Sequence, residues 1–290
     1  MNERVRWWLG MMIALMAGLY MGLIILQPAA QTQQAQPAAA PVFAAVTDAP
    51  EMEENLFAQP SPTAGFAIEV LNVEIPPPRR VLIYHTHTYE AFAQVDGNRY
   101  QETETWRTAD SAYNMIRVGE ELAALLRALG LQVTHDTTSF EPPDLSTAYA
   151  RSLQMLERRL ADGETYDLYI DLHRDAYVAS YGGSNTVSIG GGSVARLMLL
   201  VGKGEGVTGQ GYEAKPDWEK NLAIAQAITD SLNQQCSGLC RDVRVKAGRF
   251  NQHIAPSCVL VEAGNNRNTL NEVLSAMPYL ADAIARVLSQ

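Results

Sequence analysis

The chain is poor in cysteine, with only Cys236, Cys240 and Cys258 among 290 residues. An odd, small number excludes a disulfide framework as the source of stability. Cys236 and Cys240 are spaced to pair across Ser237-Gly238-Leu239 in an oxidising compartment. No second Cys/His pair lies nearby to make a zinc knuckle. Cys258 opens an apolar run and reads as a buried thiol. Positive charge is also scarce: 22 Lys and Arg stand against 32 Asp and Glu, for a net charge of −10. No basic stripe with interleaved aromatics is present, which argues against a nucleic-acid partner. Attraction to an anionic polymer cannot be the main source of affinity either, so a neutral or locally contacted part of the substrate must supply it. Internal repeats are absent, which excludes a solenoid. What remains, 47% hydrophobic and 19% charged residues, is the composition of a globular chain.

Residues 7–26 contain no charge and are about long enough to cross a bilayer as a helix. Arg4 and Arg6 precede them and place the tail 1–6 in the cytoplasm. A cleaved signal peptide is the competing reading, with small residues at Ala29-Ala30 and Ala38-Ala39-Ala40. The apolar stretch exceeds the usual signal core of roughly 7–15 residues, which favours a retained single-pass anchor in the cell membrane. Either reading sends the rest of the chain outside the cytoplasm. Residues 27–77 are rich in Ala, Pro and Gln and form a flexible linker and approach segment, stiffened by Pro76-Pro77-Pro78.

From residue 78 to 290, strand-like and helical patterns alternate. Strands are expected at Val81–Tyr84, Leu131–Thr134, Tyr166–Leu172, Ala195–Val201 and Val259–Val261. Helices are expected from Asp110 or Ser111 to Leu129, Ser146 to Leu160, Asp217 to Gln234 and Thr269 to Leu288. Such alternation predicts one α/β domain, a largely parallel sheet flanked by helices.

The chain has five histidines. His85 and His87 follow the first strand, with Glu90 three residues beyond His87. His173 follows the third expected strand in Asp171-Leu172-His173-Arg174-Asp175, and Glu262 follows the last. Ligand sites of open α/β sheets lie at the carboxyl ends of strands, and three strands here deliver a His or Glu to that edge. Two histidines, one carboxylate ligand and a further glutamate are what a catalytic zinc requires: three protein ligands, a bound water of lowered pKa, and a proton acceptor. His85 and His87 fall on one face of an extended segment, so one ligates while the other packs or orients. Bland readings stand beside these. Glu90 fits a solvated loop acid, Asp110 a helix N-cap, His135 a structural residue, and Arg174 with Asp175 a surface ion pair. Glu262 after an apolar strand needs a partner, for which Arg267 or a helix end would serve.

The segments Tyr84-His85-Thr86-His87-Thr88-Tyr89-Glu90, Asn114-Met115-Ile116-Arg117-Val118-Gly119, Asp171 to Ala176, Asn251-Gln252-His253 and Leu260-Val261-Glu262-Ala263-Gly264 resemble, in that order, the stage II sporulation protein P family. The resemblance spans residue 78 to the C-terminus. It implies an amidase-like fold and a zinc-dependent N-acetylmuramoyl-L-alanine amidase acting on peptidoglycan during forespore engulfment. Removal of stem peptides and cutting of cross-links are both implied, alongside the stage II sporulation proteins D and M. Carried over by position, His87 and His173 are metal ligands and Glu262 is the catalytic glutamate. Glu90 is the implied carboxylate ligand. Asp110 is its alternative, since a Glu opens the first long helix in the broader amidase family, and His85, Arg174, Asp175 and His253 are supporting candidates. The broader family's Asp-Pro-Gly-His-Gly-Gly is replaced here by Tyr84 to Thr88. Two other classes compete: a non-catalytic cell-wall binding or scaffold module, and a hydrolase using Cys258.

Overall fold

The computed structural model describes residues 77–177 and 183–290. The expected tail 1–6, anchor 7–26 and nearly all of the linker lie outside the described residues. Among the described residues, no helix is long and apolar enough to cross a membrane.

Strands β1 (Arg80–Tyr84), β2 (Gln132–His135), β3 (Leu168–Asp175), β6 (Leu197–Gly202), β7 (Cys240–Lys246) and β8 (Cys258–Asn265) form one sheet in the order β2-β1-β3-β8-β6-β7. The β2-β1-β3-β8 half is parallel. β6 runs antiparallel to β8, and β7 parallel to β6, so the sheet is mainly parallel with one reversal. β4 (Thr186–Ile189) and β5 (Gly192–Ala195) make a separate hairpin. Its two-residue turn is Gly190-Gly191, at φ 59° and 83°, values that suit a hairpin turn with positive φ at both positions. The expected strand over Ala195–Val201 therefore breaks at Arg196, between β5 and β6.

Alternation along the strands divides the chemistry between the two faces of the sheet. Val81, Ile83, Leu168, Ile170, Leu172, Leu197, Leu199, Val259, Val261 and Ala263 enter the main core. There they meet helices α1 (Met115–Ala128), α3 (Trp218–Gln235), α4 (Leu270–Leu274) and α5 (Met277–Leu288). Leu82, Tyr84, Tyr169 and Cys258 face the other way, against Leu156 of α2 (Ala148–Ala161), in a much smaller cluster. Asp171, His173 and Asp175 alternate with Leu172 on β3 and so share that second face.

Several boundaries differ from expectation for local reasons. α1 starts three or four residues late because Asn114, not Asp110 or Ser111, caps it, accepting from Ile116 N at 2.9 Å. Asp110 closes an earlier turn, accepting from Ala112 N at 3.0 Å. The expected last helix is two. A capping box of Thr269 and Glu272 starts α4, and Pro278 in the first turn of α5 cannot donate into a continuous helix. His173 and Glu262 lie within β3 and β8 instead of after them. Cys236 and Cys240 do not pair: the cysteines are free, and Cys240 Sγ turns toward Thr229 Oγ1 at 3.7 Å.

Behind the sheet, the buried His85 pairs with the half-buried His135. His85 Nδ1 lies 2.9 Å from Leu172 O and its Nε2 lies 2.8 Å from His135 Nε2. A carbonyl only accepts, so His85 carries its proton on Nδ1 and His135 donates across the pair. Burial, and then His135, lower His85 to about 3, so it stays neutral. Gly119 of α1 makes the room: a Cβ there would meet His135 Nε2 at 2.5 Å and His85 Nε2 at 2.6 Å. Gly119→Ala therefore sets a helix-propensity gain of about 1 kcal/mol against overpacking of about 1–3 kcal/mol. The clash should win by up to about 2 kcal/mol, lowering Tm by up to roughly 8 °C; a thermal melt of the variant at or above the parent's would show that the pair yields.

Candidate active site

β1 ends at Tyr84, and the chain then turns, which separates the two histidines that an extended segment would have placed together. His85 goes to the pair with His135. His87 goes to the opposite side, where its ring lies 5.3 Å from that of His173 and 5.5 Å from that of Tyr149 on α2. The turn is held by Asp171, which accepts from Thr86 N at 2.8 Å and from Thr86 Oγ1 at 2.7 Å.

His173 is buried and sits directly opposite Glu262 in the β3–β8 register. Its Nε2 lies 2.7 Å from Asp171 Oδ1, and its Nδ1 lies 3.6 Å from Glu90 Oε2. Burial alone would lower its pKa, but Asp171 and Glu90 outweigh it and raise it well above the ordinary value. Glu90 shows the converse. Burial would raise its carboxyl, while His173, Arg174 and His87 hold it at about 2. Arg174 fixes Glu90 through its backbone N–H at 3.1 Å. Its side chain ties down the flanking loop by donating to Ala91 O and Trp106 O. It makes no ion pair with Asp175, which approaches Arg241 at 4.0 Å.

Glu262 is half-buried as a residue, yet its Oε2 is shut off from solvent and has no hydrogen-bond partner. Burial raises it to about 8; His173 opposes this, while Glu90 and Asp175 add to it. Arg267 does not reach it and instead lies 3.7 Å from the Tyr177 ring centroid. His87 has its Nδ1 3.7 Å from Glu141 Oε1, and burial and His173 lower it to about 4.

Two members of this cluster were not legible in the sequence. Glu141 bonds Arg107 and accepts from Tyr89 N at 3.2 Å, which backs the His87 turn. Tyr149 stacks at 6.5 Å on His173. Burial and the nearby Asp171, Glu262 and Glu90 push its phenol up, so it stays a neutral hydrogen-bond donor. Neither belongs to a motif; the only hint is that each lies near an end of an expected helix. Asp110 is exposed and occupied with its own turn. His253 is half-buried beside Arg249, with an unpartnered Nδ1.

His87, Glu90 and His173 thus meet Glu262 at one place. Glu90, Asp171 and Glu262 crowd it with carboxylates, and His87 Nδ1 and Glu262 Oε2 are buried without hydrogen-bond partners. Excess negative charge and a buried, unpartnered carboxylate oxygen are what a cation would relieve, and the donor types suit a borderline-soft divalent metal. The donors are not drawn in around a single point: among the described residues, no three His, Cys, Asp or Glu side chains form a closed metal-binding group.

Several solved structures are similar. They include the N-acetylmuramoyl-L-alanine amidase AmiC2 of Nostoc punctiforme, at 15% identity and a TM-score of 0.41 over 73% of this chain and 95% of that one. The CwlD amidase of Clostridioides difficile, solved in complex with the GerS lipoprotein, matches at 11% identity and 0.45 over 73% and 96%. The catalytic domain of the CD27L endolysin, described as targeting Clostridia difficile, matches at 16% and 0.43 over 73% and 98%. No curated protein gives a significant match. The model of stage II sporulation protein P (SpoIIP) matches residues 32–285, which include His87, Glu90, His173 and Glu262 alike, and the chain belongs to that family.

Proposed function

We propose that this protein is a zinc-dependent peptidoglycan hydrolase, an N-acetylmuramoyl-L-alanine amidase with endopeptidase activity on cross-links, working in forespore engulfment. Membership of the sporulation family supports the peptidoglycan and sporulation parts. The observation that carries the chemistry is the pairing of His173 and Glu262 across β3 and β8, with Glu262 Oε2 buried and unpartnered. The competing scaffold reading has no such use for a buried, unsatisfied carboxylate.

His87, His173 and Glu90 would hold the metal. Asp171 beside His173, and Glu141 beside His87, stand where metal-bound imidazoles are commonly backed by carboxylates. Held by these residues, zinc would supply a water of lowered pKa and a Lewis acid for the amide carbonyl. Glu262 then takes a proton from the attacking water as its oxygen bonds to the carbonyl carbon. As the C–N bond breaks, Glu262 returns that proton to the leaving nitrogen and is again a carboxylate. Its raised pKa suits the return of the proton, and a cation alongside would favour the carboxylate that takes it up. Tyr149, as a neutral donor over His87 and His173, is placed to hydrogen-bond the substrate. Residues 7–26 would anchor the protein in the membrane with the catalytic domain outside, and stage II sporulation proteins D and M would be its partners.

Three outcomes test this reading. The protein should bind about one zinc per chain, and His173→Ala should lose both metal and hydrolysis of purified peptidoglycan; full activity in a thoroughly metal-free preparation would remove zinc from the mechanism. Glu90→Gln should lower zinc content while Asp110→Asn leaves it unchanged, measured by elemental analysis, and the reverse pattern would make Asp110 the ligand. Glu262→Gln should keep zinc and fold but release stem peptides about a hundredfold more slowly, the usual worth of general acid–base catalysis. Near-parental turnover would exclude Glu262 as the base.

A further inference from the structure

Arg249 is a buried cation without an anion. It is 6% exposed. Its Nη1 donates to Gly211 O at 2.6 Å and Ala214 O at 3.4 Å, and its guanidinium lies 4.5 Å from the Tyr212 ring centroid. Its Nε is buried with no hydrogen-bond partner. Glu157 and Glu213 act on it only through space, and no carboxylate is in ion-pair contact with it among the described residues. A guanidinium taken out of water needs a paired anion to offset desolvation, and its planar fork matches a carboxylate.

Arg249 lines a cavity of about 410 Å³, together with Tyr212, Phe250, Asn251, Leu153 and Tyr149. The chain is strained to form this wall: Phe250 and Asn251 sit at φ 49° and 53°, a region costly for a bulky side chain. Asn251 is locked there by donating to Tyr149 O at 2.8 Å and Ser152 Oγ at 3.0 Å. Gln252 bridges Gly202 N and Leu200 O at 2.8 and 2.9 Å. Gly248 must lack a Cβ, which would meet the Phe250 ring at 2.6 Å. Tyr149 connects the two places, lining the cavity while its ring packs on His87 and His173.

We infer that this cavity is a subsite for a carboxylate-bearing arm of the peptide substrate, with Arg249 recognising the carboxylate and the aromatic walls taking the apolar part. The inference rests on the reading of the substrate as a peptidoglycan peptide.

The test uses the full chain and two synthetic muramyl peptides, one with free carboxylates and one with the same groups amidated. Equilibrium binding and hydrolysis are both measured. The parent should prefer the free form by about tenfold in Kd, a factor that corresponds to about 1.4 kcal/mol. Arg249→Gln should bring that ratio close to one, and Arg249→Lys should keep part of it. An undiminished ratio in Arg249→Gln, or no preference in the parent, overturns the inference. Arg249 also ties down Gly211 and Ala214, so a second variant guards against misfolding. Ala150→Glu, on an exposed position of α2 that lines the cavity, adds a competing carboxylate with Arg249 in place. It should penalise the free peptide about tenfold more than the amidated one, and equal penalties overturn the inference. Preference in binding without any hydrolysis would sink the amidase reading and leave the subsite standing; hydrolysis without preference would do the opposite.

Discussion

The two-residue period of β3 is the constraint on which the rest of this protein depends. Leu168, Ile170 and Leu172 commit one face of the central strand to the main core. Asp171, His173 and Asp175 are thereby committed to the other. A slip of one residue in register would exchange the two sets, burying three ionisable groups in the main core and driving three large aliphatic ones in among the carboxylates of the site. Neighbouring β1 and β8 obey the same division, with Val81, Ile83, Val259 and Val261 on the core side. The position of His173 opposite Glu262 thus follows from hydrophobic burial, before any polar interaction is counted.

Polar interactions refine what that pattern sets out. His85 closes the back of the first turn through Leu172 O and His135, while Asp171 clamps its front through Thr86. The loop that presents His87 and Glu90 is therefore fastened on both sides of β3. Arg174 adds a third attachment through Ala91 and Trp106. The result is a stiff frame around groups whose charges are mutually unfavourable, which is how functional sites persist against the stability they cost.

Much of this was legible in the sequence. Apolar runs at Val81, Tyr166 and Val259 gave the central strands, because strands buried on both faces read as continuous hydrophobic segments. His87, Glu90, His173 and Glu262 could be singled out because each sits at or just beyond the carboxyl-side part of such a run. The divergence of His85 from His87 was not legible, since it depends on a turn whose hydrogen bonds come from Asp171, more than eighty positions away. Tyr149 and Glu141 were hidden for a similar reason. Nothing local marks a half-buried tyrosine or a loop acid as facing a histidine brought in by another strand. The double glycine at Gly190-Gly191 did carry a hairpin signal, overshadowed by the stronger aliphatic run that follows. β7 escaped because Arg241, Asp242, Arg244 and Lys246 interrupt its few apolar residues.

Those same charges have a use. Among the described residues β7 is the outermost strand on its side of the sheet, with one row of its backbone N–H and C=O groups not paired to a further strand. Edge strands studded with ionic side chains resist such templating, because a second copy would have to stack like charges against like. The opposite edge, β2, is only four residues long, which limits how far pairing there could propagate. A protein that works against a polymeric, peptide-rich surface is surrounded by extended segments and by its own copies, and both rims of this sheet are built to discourage unwanted β-addition.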